Sequence, residues 1–420
     1  MKNSQMYEIE ITGMGFGGAA FGRLDDGRMA FVPYAIAGER VRIKVKEERP
    51  RYVNAEIVEI IRPSASRIVP RCPHFGVCGG CHYQHIRYED QLHIKAAILK
   101  DQLQRIGGFK HLPEIEIIPA PDPWNYRNSL QFHLTDEGKL GFHKAETTET
   151  LEIQECYLGQ SPLQGLWKQI EFEPGMAIER LHIRCGINDD VMLVLESDND
   201  EIPNLVVEEL PISVVHLTAQ EAVVLAGSDH LWMEVHGRLF HLSAGAFFQV
   251  NNAVAEKMVD HLLTNLEWKP DMTVIDVYCG GGLYSAFIAK KVGRLIGIES
   301  ASAACQDFEI NLAEFDNVEL YEAAAEDVLP YLHINADVML LDPPRSGLTK
   351  AVRQAIAAQP PVQLIYISCD PSTFSRDARY LVEAGFELER LAFLDMFPQT
   401  YHLESVSYWR YKGKINQDIK

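Results

Sequence analysis

Between residues 7 and 61 apolar and polar positions alternate with period two, in runs such as "YEIEITGM", "RMAFVPYA", "ERVRIKVKEE" and "YVNAEIVEII" separated by glycine-rich or Asp-Gly turns. This pattern predicts five short strands and a small β-barrel. Within the third run quoted, Arg40, Arg42, Lys44 and Lys46 share one face and Val41, Ile43 and Val45 the other. The apolar face suits a core, and the basic face is left for solvent or phosphate. Residues 89–106, "EDQLHIKAAILKDQLQRI", switch to helical spacing and stop at Gly107-Gly108, which predicts one amphipathic helix. From about 116 to 246 strand-type runs return, among them "SLQFHL", "KLGFHK", "DVMLVLES", "ISVVHLTA" and "LWMEVHG", and predict a second, sheet-rich domain.

After "AGAFFQVN" the texture changes again. Buried apolar runs, "TVIDVYCGGG", "RLIGIES", "DVMLLDPP" and "LIYISCDP", are each followed by a helical pattern. Strand-helix alternation of this kind predicts a parallel, doubly wound sheet. The chain of 420 residues is too long for one core, so two or three domains are expected.

Charge changes the picture because it is unevenly spread. The formal net charge of -20 argues against a nucleic-acid partner, yet residues 1–88 hold 13 basic and 9 acidic residues, while 89–420 hold 26 and 50. From Ile60 to Tyr88 there is no carboxylate, but there are Arg62, Arg67, Arg71 and Arg87, so an anionic polymer would meet the chain there first. The N-terminal stretch has no apolar signal region, and no window approaches 18 uninterrupted apolar residues, so a soluble, cytosolic protein with no membrane partner is expected. In that compartment eight cysteines read as thiols, metal ligands or catalysts rather than disulfides.

The segment "VIDVYCGGGLYSAFIA" is a strand, a glycine turn and a helix start, where backbone amides can approach a ligand. The dinucleotide fingerprint is absent, since only Gly280 to Gly282 are present. Glu299 ends the next strand, Asp327 follows the third and Asp342 ends the fourth. Acids at the carboxyl ends of successive parallel strands converge on one crevice. Helix capping is the alternative role, and it suits Asp327 better than Glu299 or Asp342. Together these acids fit S-adenosylmethionine, whose sulfonium is cationic and carries no phosphate, better than NAD. Cys369 closes the fifth strand at the same crevice, as either a nucleophile or a small buried hydrophobe. In "CPHFGVCGGC", Cys72, Cys78 and Cys81 have C-x5-C-x2-C spacing, and Cys156 in "QECYLG" is a fourth thiol. Four thiolates can hold a structural zinc or a [4Fe-4S] cluster, and His74, His82 and His85 lie nearby.

The motifs "DPPRSG", "YISCDPSTFSRD" and "LDMFPQTYHLESV", in this order after "DVYCGGG", together with "GAFFQVN" and "QLQRIGGF", resemble those of the RNA (uracil-5-)-methyltransferase family. The resemblance covers essentially the whole chain, and the N-terminal segment is similar to a TRAM domain, an RNA-binding barrel. It implies three domains: a TRAM-like, OB-like barrel over 1–61, a central sheet domain with a cluster loop over 62–246, and a Rossmann-like class I methyltransferase domain over 247–420. Helix 89–106 is expected to pack on the last of these. By the same resemblance Cys369 adds to C6 of a uridine and Glu404 removes the C5 proton, while Gln249, Tyr278, Glu299 and Asp342 contact S-adenosylmethionine. Arg345 serves RNA or its own loop. Leu283 and Ala323 depart from polar residues found in some relatives.

Relatives with the same cysteine spacing carry [4Fe-4S], which makes Cys72, Cys78, Cys81 and Cys156 its expected ligands. The resemblance further implies RNA as partner, with 23S ribosomal RNA favoured over transfer RNA, and a monomer. Two rival readings stand beside it. A radical S-adenosylmethionine enzyme would need a C-x3-C-x2-C triad, whereas the first gap here is five. A non-catalytic RNA-binding ribosome-assembly factor would leave Cys369 and Glu404 without a role.

Overall fold

The computed structural model describes residues 6–413 other than 171, 177, 200–202 and 204–210. The alternating runs at the front form five strands, Met6–Met14, Ala19–Arg23, Met29–Pro33, Arg40–Glu48 and Tyr52–Arg62, which close into a barrel. The first strand pairs with both the second and the fourth, so no edge is left open. Val41 and Ile43 face inward with Ile9, Ile11, Val32 and Val53, as the alternation requires. The basic face is exposed to solvent, as one of its two expected roles requires, and it is paired with acids. Arg40 and Arg42 pair with Glu8, Arg42 also with Glu59, and Lys44 and Lys46 with Glu56. The register sets Arg42 beside Glu8 on one neighbouring strand and Glu59 on the other. That face is therefore a lattice of exposed ion pairs, each worth under about 1 kcal/mol, with its positive charge largely neutralised.

A seven-stranded sheet follows, in the order Ala222–Ala226, Ser213–Leu217, Val191–Glu196, Arg180–Cys185, Ser129–Leu134, Leu140–His143, Thr150–Glu152. The C-terminal sheet has eight strands in the order Val318–Glu322, Arg294–Glu299, Thr273–Val277, Val338–Leu341, Gln363–Ser368, Glu404–Tyr411, Phe386–Leu394, Ile115–Ile118. The first five are parallel, and Glu404–Tyr411 runs antiparallel to its neighbours. Thr273–Val277 lies between the second and fourth strands of the series, which is where connections leave to opposite faces and a crevice opens at the carboxyl ends.

Core membership cuts across a boundary at 246. Strand Ile115–Ile118 joins the edge of the C-terminal sheet by pairing with Leu391–Leu394. The hairpin His230–Val235 and Arg238–Ser243 buries Met233, Val235, Phe240 and Leu242 in one cluster with Val274, Leu295 and Leu340. Helix Tyr88–Arg105 buries Ala96, Leu99 and Leu103 in one cluster with Ile275, Tyr366 and Phe374. Alternation reveals that a segment is a strand, but its partner sheet is chosen by residues far along the chain.

Candidate active site

The crevice is built first by the turn after Thr273–Val277. Tyr278 takes φ 65 and Gly282 φ 84, so the chain reverses sharply into helix Leu283–Ile288. A Cβ on Gly282 would lie 2.3 Å from Leu312 Cδ1, which leaves glycine alone at that position. Glu299 braces this turn. Its Oε2 accepts the Gly280 N–H at 3.1 Å, and its Oε1 accepts those of Ser300 and Ala301 at 2.7 and 2.8 Å. One carboxylate thus both steadies the glycine turn and fixes the two residues that lead into helix Ser302–Asn311.

At the end of Val338–Leu341 the Asp342 carboxyl keeps some surface open to the crevice, yet protein encloses it, and this burial pushes it up to about 7. Strand Gln363–Ser368 then delivers Cys369. The strand stops there because Asp370 caps the next helix, Pro371–Ala384, accepting the Ser372 and Thr373 N–H groups at 2.9 Å each, and Pro371 occupies its first turn. Cys369 therefore stands at the positive end of a helix, a position that favours a thiolate.

Glu404 opens the antiparallel neighbour. Ser368 pairs with Ser405, so the register sets Cys369 opposite Glu404. Their charges interact accordingly. Burial pushes the Cys369 thiol up to about 12, with Glu404 and Asp342 adding to the effect and Arg345 opposing it. Burial also holds the Glu404 carboxyl far above the usual carboxylate range, again reinforced by Asp342 and opposed by Arg345.

Gln249, Tyr278, Glu299, Asp342, Cys369 and Glu404 all line one cavity of about 790 Å³. Asp327 is not part of its wall and sits in the short helix Ala325–Val328, while Leu283 lines the cavity and Ala324 does so in place of Ala323. Arg345 is the one lysine or arginine among the lining residues, against the acids Glu299, Asp307, Glu326, Asp342 and Glu404. Such a cavity is suited to a ligand that carries positive charge. Sequence reasoning missed Asp307, which is 1% exposed and accepts from His241 Nδ1 at 2.7 Å and from the Ser243 amide at 3.0 Å, tying the 230–243 hairpin to the cavity wall. No local pattern announces it, because its partners lie some sixty residues earlier.

Cys72, Cys78, Cys81 and Cys156 are free thiols lining a second cavity of about 420 Å³. Burial raises all four, Cys78 to about 11 and Cys81 to about 12. Among the described residues no group of three or more His, Cys, Asp or Glu is gathered tightly enough to hold a metal ion. His74 shares the cavity, but its Nε2 accepts the Gln154 N–H at 3.2 Å, and His82 and His85 are not part of the wall.

The family profile described as tRNA (Uracil-5-)-methyltransferase matches residues 194–411, and that of the TRAM domain matches residues 2–58. The chain is 30% identical to an uncharacterized RNA methyltransferase of Clostridium tetani, with 98% of each chain covered. It is 32% identical to one of Caldanaerobacter subterraneus, over 97% of this chain and 98% of that one. Among solved structures, a Pyrococcus abyssi tRNA (uracil-54, C5)-methyltransferase in complex with S-adenosyl-L-homocysteine shares the fold at a TM-score of 0.73 and 22% identity, covering 96% of this chain and all of that one.

Proposed function

The chain belongs to the RNA (uracil-5-)-methyltransferase family and carries a TRAM domain, and from that premise we propose that Cys369 and Glu404 methylate C5 of a uridine in 23S ribosomal RNA through a covalent adduct. The observation that carries the reading is the register that sets the thiol opposite the carboxylate in one acid-lined cavity. As the adduct forms, Cys369 Sγ bonds to C6 of the uracil and the ring's C5–C6 π electrons move to C5 and the C4 carbonyl. S-adenosylmethionine, when bound, supplies an electrophilic methyl group to that carbon. Glu404 then takes the C5 proton, the C5=C6 bond re-forms, and the thiolate leaves.

The cavity's own electrostatics support this assignment. Without a cation in place, burial holds Asp342, Glu404 and Cys369 toward their neutral forms, with Asp342 adding to the effect on Glu404 and both acids adding to it on Cys369. A sulfonium beside them favours the ionised forms that the chemistry needs. Glu299 is poised for ribose hydroxyls, and Gln249 and Tyr278 complete the proposed cofactor contacts. The target base must leave its stack to present C6, which suits a loop or single strand.

The four thiols are the proposed ligands of a [4Fe-4S] cluster. They share one cavity, though no three of them are gathered closely enough to hold a single metal ion. A zinc ion at about 2.3 Å from each sulfur would draw them to within about 4 Å of one another, whereas a four-iron cube is wider. Methyl transfer needs no oxidant or reductant, so the group's part here is to hold an irregular loop in shape. The barrel and this loop together favour 23S ribosomal RNA. Transfer RNA is the second reading, because it is the substrate named for the archaeal structure. Incubation with 5-fluorouridine RNA and the donor should trap an adduct on Cys369. Mapping of 5-methyluridine in ribosomal and transfer RNA from cells with and without the gene identifies the target. A chain that leaves no adduct at position 369 refutes the mechanism, and a mark lost from transfer RNA alone refutes the substrate.

A further inference from the structure

The carboxylate-free stretch Ile60–Tyr88 holds four arginines, and three of them are neutralised from elsewhere. Arg62 meets Glu10 at 3.0 Å, Arg67 meets the buried Glu39 at 2.6 Å, and Arg87 meets Asp90 at 2.9 Å. Arg71 has no carboxylate at ion-pair distance among the described residues. Its guanidinium instead lies 4.3 Å from the centroid of the Tyr157 ring and 5.3 Å from that of Trp124, and the two rings meet edge to face at 6.5 Å. The arrangement is braced. The Tyr157 hydroxyl donates to Glu155, and the Asn125 N–H donates to the Tyr157 carbonyl at 2.9 Å, which fastens the two aromatic segments together. Arg71 itself is exposed and the rings are half-buried, so a planar cation rests over aromatic faces at the surface.

We propose that Arg71, Trp124 and Tyr157 form a stacking platform for an unpaired nucleotide of the RNA substrate, outside the methyl-transfer cavity. The proposal rests on the reading of RNA as substrate and adds a place where the strand is held. A flat guanidinium and aromatic rings recognise any base by its π face, and the unneutralised charge favours the adjoining phosphate. Position supports the same use. Arg71 directly precedes Cys72 and Tyr157 directly follows Cys156, so the platform stands on the rim of the cysteine cavity. Arg127 lines that cavity and also a smaller pocket of about 200 Å³, whose Phe247 and Phe248 line the methyl-transfer cavity in turn. The three cavities thus adjoin one another, and a single strand crossing the surface beside them can place its target base in the large cavity and a further base on the platform.

The test uses the full chain and fluorescence anisotropy with a labelled uridine-containing single strand, its duplex, and a single strand carrying 2-aminopurine. R71Q and W124L should each weaken single-strand binding by at least about fivefold, while Y157F, which keeps the ring, should not. Affinity for S-adenosylmethionine and the thermal midpoint should stay at wild-type values. R71K keeps the charge without the plane and should remain weak, and quenching of 2-aminopurine seen with the wild type should be lost in W124L. Wild-type RNA affinity in R71Q, or full recovery in R71K, overturns the platform while methyl transfer to RNA by the wild type leaves the underlying reading intact. A wild type that neither binds nor methylates RNA overturns both.

Discussion

The proposed contact between Asp342 and the donor predicts that donor binding depends on pH. Burial holds this carboxyl at about 7 from an ordinary value of 3.8, so at pH 6 about one site in eleven has it ionised, and at pH 8 about ten in eleven. A cation binds the ionised form, and apparent affinity scales with the fraction of sites in that form. Affinity for S-adenosylmethionine should therefore fall up to about tenfold as pH drops from 8 to 6. The sign follows from linkage: the cation lowers the pKa of the group it faces, so binding releases a proton below about pH 7 and none well above it. The donor's own α-amino group titrates near 8, so the informative comparison is with D342N. Isothermal titration of both proteins between pH 6 and 8, in buffers of different ionisation heat, gives the affinity and the protons released. D342N should bind at least about tenfold more weakly at pH 8 and lose the extra slope. Identical pH slopes for the two proteins would refute the role assigned to Asp342.

E404Q should form the Cys369 adduct and fail to resolve it, because the C5 proton has no acceptor. Intact mass should then show RNA-bound protein accumulating with the natural substrate, and wild-type turnover by E404Q would count against Glu404 as the base. C78A should lose iron and lower the thermal midpoint when isolated without oxygen, whereas full iron content and unchanged stability would remove this cysteine from the ligand set. Lys95 and Asp395 form a buried ion pair at 2.6 Å with both side chains 0% exposed, so K95M should cost about 3–5 kcal/mol by leaving an unpaired buried carboxylate. Denaturant unfolding of K95M and K95M/D395L checks this, because the double variant should recover most of the loss; a K95M protein as stable as wild type would show that Asp395 is satisfied without its partner.

Much of the local structure around the candidate site was readable along the chain. An apolar run followed by Cys369, Asp370 and Pro371 writes the end of a strand and the cap of the next helix into four consecutive positions, and the acids at 299 and 342 mark strand ends in the same way. The barrel was equally plain, since alternation alone decides which of Val41 and Arg42 faces inward. What alternation does not carry is the identity of the residue across the ladder. Glu8 and Glu59 neutralise Arg42 only because two other strands arrive in one register. The edge strand Ile115–Ile118 finds its partner more than 270 residues later, and Asp307 becomes part of the wall only when a hairpin folds onto it. Pairing of this kind is set by the whole fold, so composition and period are silent about it.

The same non-local pairing explains how the front of the chain can matter to chemistry at its end. Glu404 is preceded by the loop 395–403, and nearly every grip on that loop comes from elements before residue 127. Lys95 Nζ donates to Asp395 Oδ1 at 2.6 Å and to the Phe397 carbonyl at 2.9 Å. Gln91 and Gln399 exchange two hydrogen bonds, through the Gln91 side-chain amide at 3.0 Å and the Gln399 N–H at 3.1 Å. The Tyr126 hydroxyl reaches the Pro398 carbonyl at 3.0 Å. The Gln399 carbonyl accepts from His82 and Tyr83, the two residues that follow Cys81, at 3.0 Å each. Gln399 itself holds φ 69, a left-handed conformation that a non-glycine residue keeps only when its surroundings over-determine it. A shift of the cysteine loop therefore bears directly on the strained residue five positions before the proposed base. On this geometry the thiols at 72, 78, 81 and 156 need no redox role to affect methyl transfer, because the loop that carries three of them grips the segment leading into Glu404.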